Sequence, residues 1–172
     1  NDRKFYKDHH NRRVNRHKIR FREYEDSGLV FLEVKCKNNK GKTIKKRLKV
    51  DQIPTKLSSE HQSYVQKVMG YSLSVFPKQW INFNRITLVH KILKERLTID
   101  VNLNYSENES SGDLSMIAIA EVKQERMSRT SDFIRIAKEM KIYPMRLSKY
   151  CFTTMQLDDS IKRNRFKEKQ IF

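Results

Sequence analysis

The stretch "FLEVKCKN", residues 31–38, decides how the rest of the chain is read. As an extended strand it places Phe31, Glu33, Lys35 and Lys37 on one face and Leu32, Val34 and Cys36 on the other. Alone, such a strand is ordinary: antiparallel sheets often bury one face and wet the other. Its neighbours repeat the pattern. Upstream, "HKIRFREY" (17–24) sets Lys18, Arg20, Arg22 and Tyr24 against Ile19 and Phe21. Downstream, "TIKKRLKV" (43–50) sets Thr43, Lys45, Arg47 and Lys49 against Ile44, Lys46, Leu48 and Val50. "EDSG" (25–28), with Gly28 free to take a positive φ, and "NNKG" (38–41) are tight turns, so the three strands read as a meander.

Further on, Ser59 and Gln62 have capping-box spacing, and Gly70 closes a helix over "SEHQSYVQKVMG". "QWINFNRITLVHK" (79–91) and "ERLTIDVNL" (95–103) are strands, and "SENESSGD" (106–113) is an exposed turn. "MIAIAEVKQER" (116–126) is a strand. Thr130 or Ser131 caps a helix through Phe133, Ile136, Ala137 and Met140 that Pro144 stops. "RLSKYCFTTMQL" (146–157) is a short helix, a charged tail starts at Asp158, and residues 1–15 read as a basic loop.

With 172 residues and 37% hydrophobic content, including nine Phe and seven Tyr, the chain is long and apolar enough to fold around a core as one domain. The net charge of +17 opposes compaction unless anions offset it, which points to polyanionic partners: nucleic acid, anionic lipid or phosphate chains. Cys36 and Cys151 have no metal-ligand spacing and read as reduced thiols of a cytosolic protein. The five histidines make no zinc motif, no apolar run reaches the roughly 18 residues of a membrane span, and the basic N-terminus has no signal-peptide core.

Helices that cover the apolar faces leave the charged faces either open to water or turned into a closed barrel. Inward-facing cations in such number need a multiply charged anion. Isolated carboxylates, Glu33, Asp100 and Glu121, punctuate the basic faces, as in a metal–phosphate site where acids hold Mg²⁺ or Mn²⁺ and bases hold phosphate oxygens. No GxxxxGK[ST] loop is present, so side chains have to hold the phosphate. Against a wholly polar interior, Ile117 and Ile119 share parity with Glu121 and Lys123, and Ile81 and Phe83 share it with Arg85. The pattern leaves a barrel and an open basic sheet both standing.

Seven short motifs in order, "KIRFREY", "FLEVKCK", "KKR", "FNRITLV", "RLTID", "AEVK" and "PMRLSKY", resemble the polyphosphate polymerase domain of the vacuolar transporter chaperone (VTC) family, one of the triphosphate tunnel metalloenzymes with a CYTH-like fold. The resemblance implies an α+β fold: an antiparallel β-barrel, the triphosphate tunnel, with helices packed outside. It assigns residues 1–157 to the tunnel domain and 158–172 to a basic tail. It implies that Arg20, Arg22, Lys35, Lys45, Arg47, Arg85, Arg96, Lys123 and Lys149 bind phosphate and that Glu121 holds a divalent metal, Mn²⁺ or Mg²⁺. Glu33, Asp100 and Arg146 are secondary candidates, Glu33 either as an orienting partner of the lysines or as a second metal contact. In the family a strand and helix with a tunnel lysine precede the region matching residue 1, and that segment is expected to be missing here. Phe31 stands where the superfamily's hydrolases and cyclases carry the first Glu of E-x-E-x-K, which favours the polymerase branch.

The expected function is transfer of the γ-phosphoryl of ATP to a growing polyphosphate chain. A triphosphatase or a non-catalytic polyphosphate sensor of the same fold is the alternative, and a basic nucleic-acid-binding sheet the distant one. ATP and inorganic polyphosphate are the expected partners, with no nucleic acid. The expected location is cytoplasmic, with tethering to a membrane complex through partner subunits left open.

Overall fold

The computed structural model describes residues 3–40, 42–125 and 131–169. The chain divides into two compact units, one comprising residues up to Lys78 together with Arg163–Glu168, the other essentially Gln79–Lys162. The fold is α+β, with two antiparallel sheets and four α-helices among the described residues.

In the first unit, β1 (Arg16–Tyr24), β2 (Leu29–Lys37) and β3 (Thr43–Val50) form the meander read from the sequence, in the order β1-β2-β3. Gly28, at φ 61°, closes the first connection, and Asn38 Oδ1 accepts the Lys42 N–H in the second; Gly41 lies outside the described residues. The apolar face is covered by α2 (Ser59–Met69). Leu32, Val34, Val65, Met69 and Val75 form the core, and Ile19, Phe21, Cys36 and Leu48 pack around it. Leu32 and Val34 are fully buried, each contributing roughly 1.5–3 kcal/mol. The capping box sits one residue earlier than the Ser59/Gln62 pair. Ser58 caps, its Oγ accepting the His61 N–H, while His61 Nδ1 accepts the Ser58 N–H. Consecutive serines left that register ambiguous, and an imidazole takes the part usually played by Glu or Gln. Gly70 ends α2 in the left-handed conformation as expected.

Residues 1–15 are not all loop: Lys4–His10 form a helix, α1. Its Tyr6 is buried against Phe166, which lies in a 3₁₀ helix (Asn164–Lys169) within the charged tail. The partner that stabilises α1 is thus at the far end of the sequence, which a local reading does not reach.

The second unit is built on β5 (Glu95–Glu107), flanked on one side by β4 (Trp80–Val89) and on the other by β6 (Ser110–Leu114) and β7 (Ile119–Gln124). The turn expected at 106–113 is shorter than read. β5 runs to Glu107 and β6 begins at Ser110, so all of "SSGD" is strand. Gly112 lies opposite Tyr105, whose ring occupies the space a side chain there would take; this glycine serves a cross-strand contact and not a turn. A bulge at Asn102, φ 53°, shifts the β4–β5 register. The buried positions of β5 accordingly change from Thr98 and Asp100 to Leu103, Tyr105 and Glu107. One sheet face is therefore polar around Asp100 and apolar beyond the bulge, where Tyr105 opposes Ile81. That accounts for apolar Ile81 and Phe83 sharing parity with Arg85.

Helix α4 (Lys149–Leu157) packs against β5 and β6 and reaches Asp100 through Lys149. It therefore lies on the acid-bearing face. The opposite face leaves Ile86 and Leu88 half exposed, so the expectation that helices cover the apolar faces holds for the first sheet and not for this one. Ser131 caps α3 (Asp132–Glu139) and is itself buried, donating to Glu95 Oε1; Thr130 lies outside the described residues. Among the described residues the strand pairings give two sheets, and neither closes into a barrel. Among the described residues no helix is long and apolar enough to cross a membrane.

Candidate functional site: two cationic faces, each built on a buried carboxylate

Antiparallel pairing in the first unit turns strand parity into rows. Lys18, Lys35 and Lys45 lie opposite one another across the three strands. Arg20, Glu33 and Arg47 form the next row, and Arg22, Phe31 and Lys49 the one after. Like charges placed directly across a sheet destabilise it, so this arrangement works against folding unless an anion is near. Glu33 supplies one. Its side chain is fully buried; Arg20 donates to Oε2 from Nε at 2.9 Å and from its terminal nitrogen at 2.7 Å, and Lys45 pairs with Oε1. Burial pushes the carboxyl upward, but the hydrogen bonds and charges of Lys45 and Arg20 outweigh it and lower its pKa to about 2. Both oxygens are engaged by cations, which suits an orienting carboxylate.

The second unit repeats the device with different elements. Asp100 of β5 is buried and faces Arg85 of β4, which binds it through two arms: Nε to Oδ1 at 2.5 Å and a terminal nitrogen to Oδ2 at 2.7 Å. Lys149, at the start of α4, pairs with Oδ2 as well. Phe83 lies beneath both cations, with the Lys149 ammonium 4.7 Å and the Arg85 guanidinium 5.3 Å from its ring centre. Here too burial raises the carboxyl pKa, and Arg85 and Lys149 more than reverse it, holding Asp100 below its usual range.

Farther along the same face, β5–β7 pairing sets Thr98 opposite Glu121 and Arg96 opposite Lys123. The Thr98 hydroxyl donates to the Glu121 carbonyl oxygen at 3.5 Å. The Glu121 side chain is about half exposed and 3.6 Å from Lys123. Among the described residues no three His, Cys, Asp or Glu side chains gather into a metal centre. A single accessible carboxylate still fits Mg²⁺ or Mn²⁺, which take one or two carboxylates and complete their shell with phosphate oxygens and water.

Of the residues expected from the sequence, Arg20 and Lys45 pair with Glu33, Arg47 lies opposite it across the ladder, Lys35 and Arg22 lie in the adjacent rows, and Arg85 and Lys149 gather on Asp100. Glu121, Lys123 and Arg96 occupy the other end of that second face, and Arg146 is exposed ahead of α4. Sequence reasoning passed over Lys18, although it shares parity with Arg20, and Phe83, whose apolar character beside Arg85 read as an anomaly. No curated protein and no solved structure matches the chain. A model of the VTC domain does match, over residues 1–157, and the chain belongs to that family, which is associated with polyphosphate polymerase activity.

Proposed function

We propose that this chain is a polyphosphate-polymerase domain that moves the γ-phosphoryl group of ATP onto the end of a polyphosphate chain. The observation that carries the reading is the cross-strand row Lys18–Lys35–Lys45 beside the Glu33 clamp, a concentration of positive charge on one face that suits a multiply charged anion. Membership of the VTC family supports phosphate chains as that anion. The closed tunnel that the family implies is part of the proposal.

In the reaction, an anionic oxygen of the terminal phosphate bonds to the γ-phosphorus as the bond to the β–γ bridging oxygen breaks, and ADP leaves. The attacking oxygen is already ionised, so no general base or protein nucleophile is needed. What opposes the step is repulsion between two polyanions. The cations of the first unit's face, Arg20, Lys35, Lys45 and Arg47, and those of the second unit's face, Arg85 and Lys149, would each offset phosphate charge and hold phosphate oxygens in place. Arg85 would offer a planar guanidinium suited to phosphate oxygens, while Lys149 acts as a point charge. Glu121 would hold the divalent metal, which supplies further neutralisation of phosphate charge when bound.

Incubation of the protein with ATP and Mn²⁺ or Mg²⁺, with products resolved by chain length, tests this. Long chains are expected. Free phosphate alone would identify a triphosphatase, and tight polyphosphate binding without turnover would identify a sensor.

A further inference from the structure

The aromatic side chains of the first sheet's basic face are gathered at one end of it. Tyr24 and Phe31 meet edge to face, with ring centres 6.3 Å apart and planes at 82°. A guanidinium lies over each: Arg22 is 4.7 Å from the Tyr24 ring centre and Arg47 is 5.3 Å from that of Phe31. Tyr24 is 38% exposed and Phe31 half-buried, so neither belongs to the core on the opposite face. From this pair the rows run in one direction: first Arg22, Phe31 and Lys49, then Arg20, Glu33 and Arg47, then Lys18, Lys35 and Lys45.

We infer that Tyr24 and Phe31, with Arg22 and Arg47, form a platform that takes the base of a nucleoside triphosphate, whose phosphates then extend along the strands towards Lys35 and Lys45. The inference rests on the phosphate-binding reading above and adds to it a means of selecting a nucleotide over a bare phosphate chain. Three features carry it. Aromatic rings with planar guanidinium groups offer the flat, polarisable surface on which a nucleobase stacks. Strand geometry sets Glu33 about 7 Å and Lys35 about 13 Å along the strand from Phe31, the order of distance from a base to the outer phosphates of an extended nucleotide. Finally, the aromatic pair is confined to one end, and the face beyond it is cationic. A strand of nucleic acid is better served by aromatics interleaved along the whole face; one base followed by phosphates matches the asymmetry.

The test compares ligands with and without a base. Calorimetric titration of the wild type should give tighter binding of ATP than of ribose 5-triphosphate. Phe31→Leu and Tyr24→Leu should each weaken ATP binding roughly tenfold. Inorganic tripolyphosphate should bind these variants within about twofold of the wild type, because stacking contributes nothing to it. Equal binding of ATP and ribose 5-triphosphate by the wild type overturns the inference without any variant having to fold. Parallel loss of ATP and tripolyphosphate in the variants also overturns it, as does Phe31-dependent binding of a mixed-sequence oligonucleotide that is tighter than that of ATP. Base-dependent ATP binding with no tripolyphosphate binding would sink the phosphate reading and leave the platform standing.

Discussion

Asp100 accepts two hydrogen bonds from the guanidinium of Arg85, its cross-strand neighbour, and does so from a buried position. A two-armed contact of this kind fixes the plane of the guanidinium as well as its position. Lys149 adds a second cation to the same carboxylate, tying the start of α4 to the centre of the sheet.

Replacing Asp100 with Asn should therefore lower stability by about 2–3 kcal/mol, because it leaves two partly buried cations facing a neutral amide. Urea denaturation of wild type and variant checks this. The midpoint should fall with the slope unchanged. An unaltered midpoint would mean that Arg85 and Lys149 find water as readily as they find the acid.

The Glu33 clamp predicts a pH dependence of definite sign. Its folded-state pKa, about 2, is depressed from the ordinary 4.5. The clamp's contribution is then fully present above pH 4.5 and is lost as pH falls towards 2. With Arg20 half exposed and screened by solvent, the loss should be on the order of 2 kcal/mol. Thermal midpoints measured between pH 6 and pH 2 should fall less steeply for Glu33→Gln than for the wild type; identical slopes would remove Glu33 from the account of acid stability.

Much of this was legible because two-residue periodicity survives intact in β1, β2 and β3. No bulge interrupts them, so parity in the sequence equals face in the sheet, and the Glu33 clamp follows from counting. In β5 the left-handed turn at Asn102 breaks that equality: Asp100 and Leu103, of opposite parity, come to share a face. Asn tolerates positive φ better than most residues, but nothing in "DVNLN" marks which Asn does so. The α1–Phe166 contact was hidden for a different reason, since its partners are separated by most of the chain. The pairing of Lys149 with Asp100 likewise joins a helix to a strand far away in sequence, and only the family resemblance had pointed to that lysine.

Gly112 offers a test of the hairpin whose sequence reads as an exposed turn. A side chain at this position would run into the Tyr105 ring, which lies against the glycine across the β5–β6 ladder. Gly112→Ala should cost about 1–3 kcal/mol, the ring being forced off its place. Combining it with Tyr105→Leu should recover part of that loss relative to the sum of the single changes, since both act on one contact. Strict additivity of the two midpoint shifts would show that the ring and the glycine are independent.

Glu121 offers a test that separates catalysis from binding. It lies on the Asp100 face, about half exposed, with Lys123 as a nearby cation and Thr98 directly across the ladder. Neutralising it removes one negative charge from a surface proposed to bind anions, so Glu121→Gln should keep or slightly raise affinity for tripolyphosphate. The uncharged amide is a much weaker ligand than a carboxylate for a hard divalent cation, so turnover of ATP in Mn²⁺ should fall by at least about a hundredfold. Chain-length analysis of products and tripolyphosphate titration on the same preparation read the two effects separately. Wild-type turnover in the variant would exclude Glu121 as the metal ligand. Loss of tripolyphosphate binding together with turnover would instead mark it as a residue that maintains the face itself.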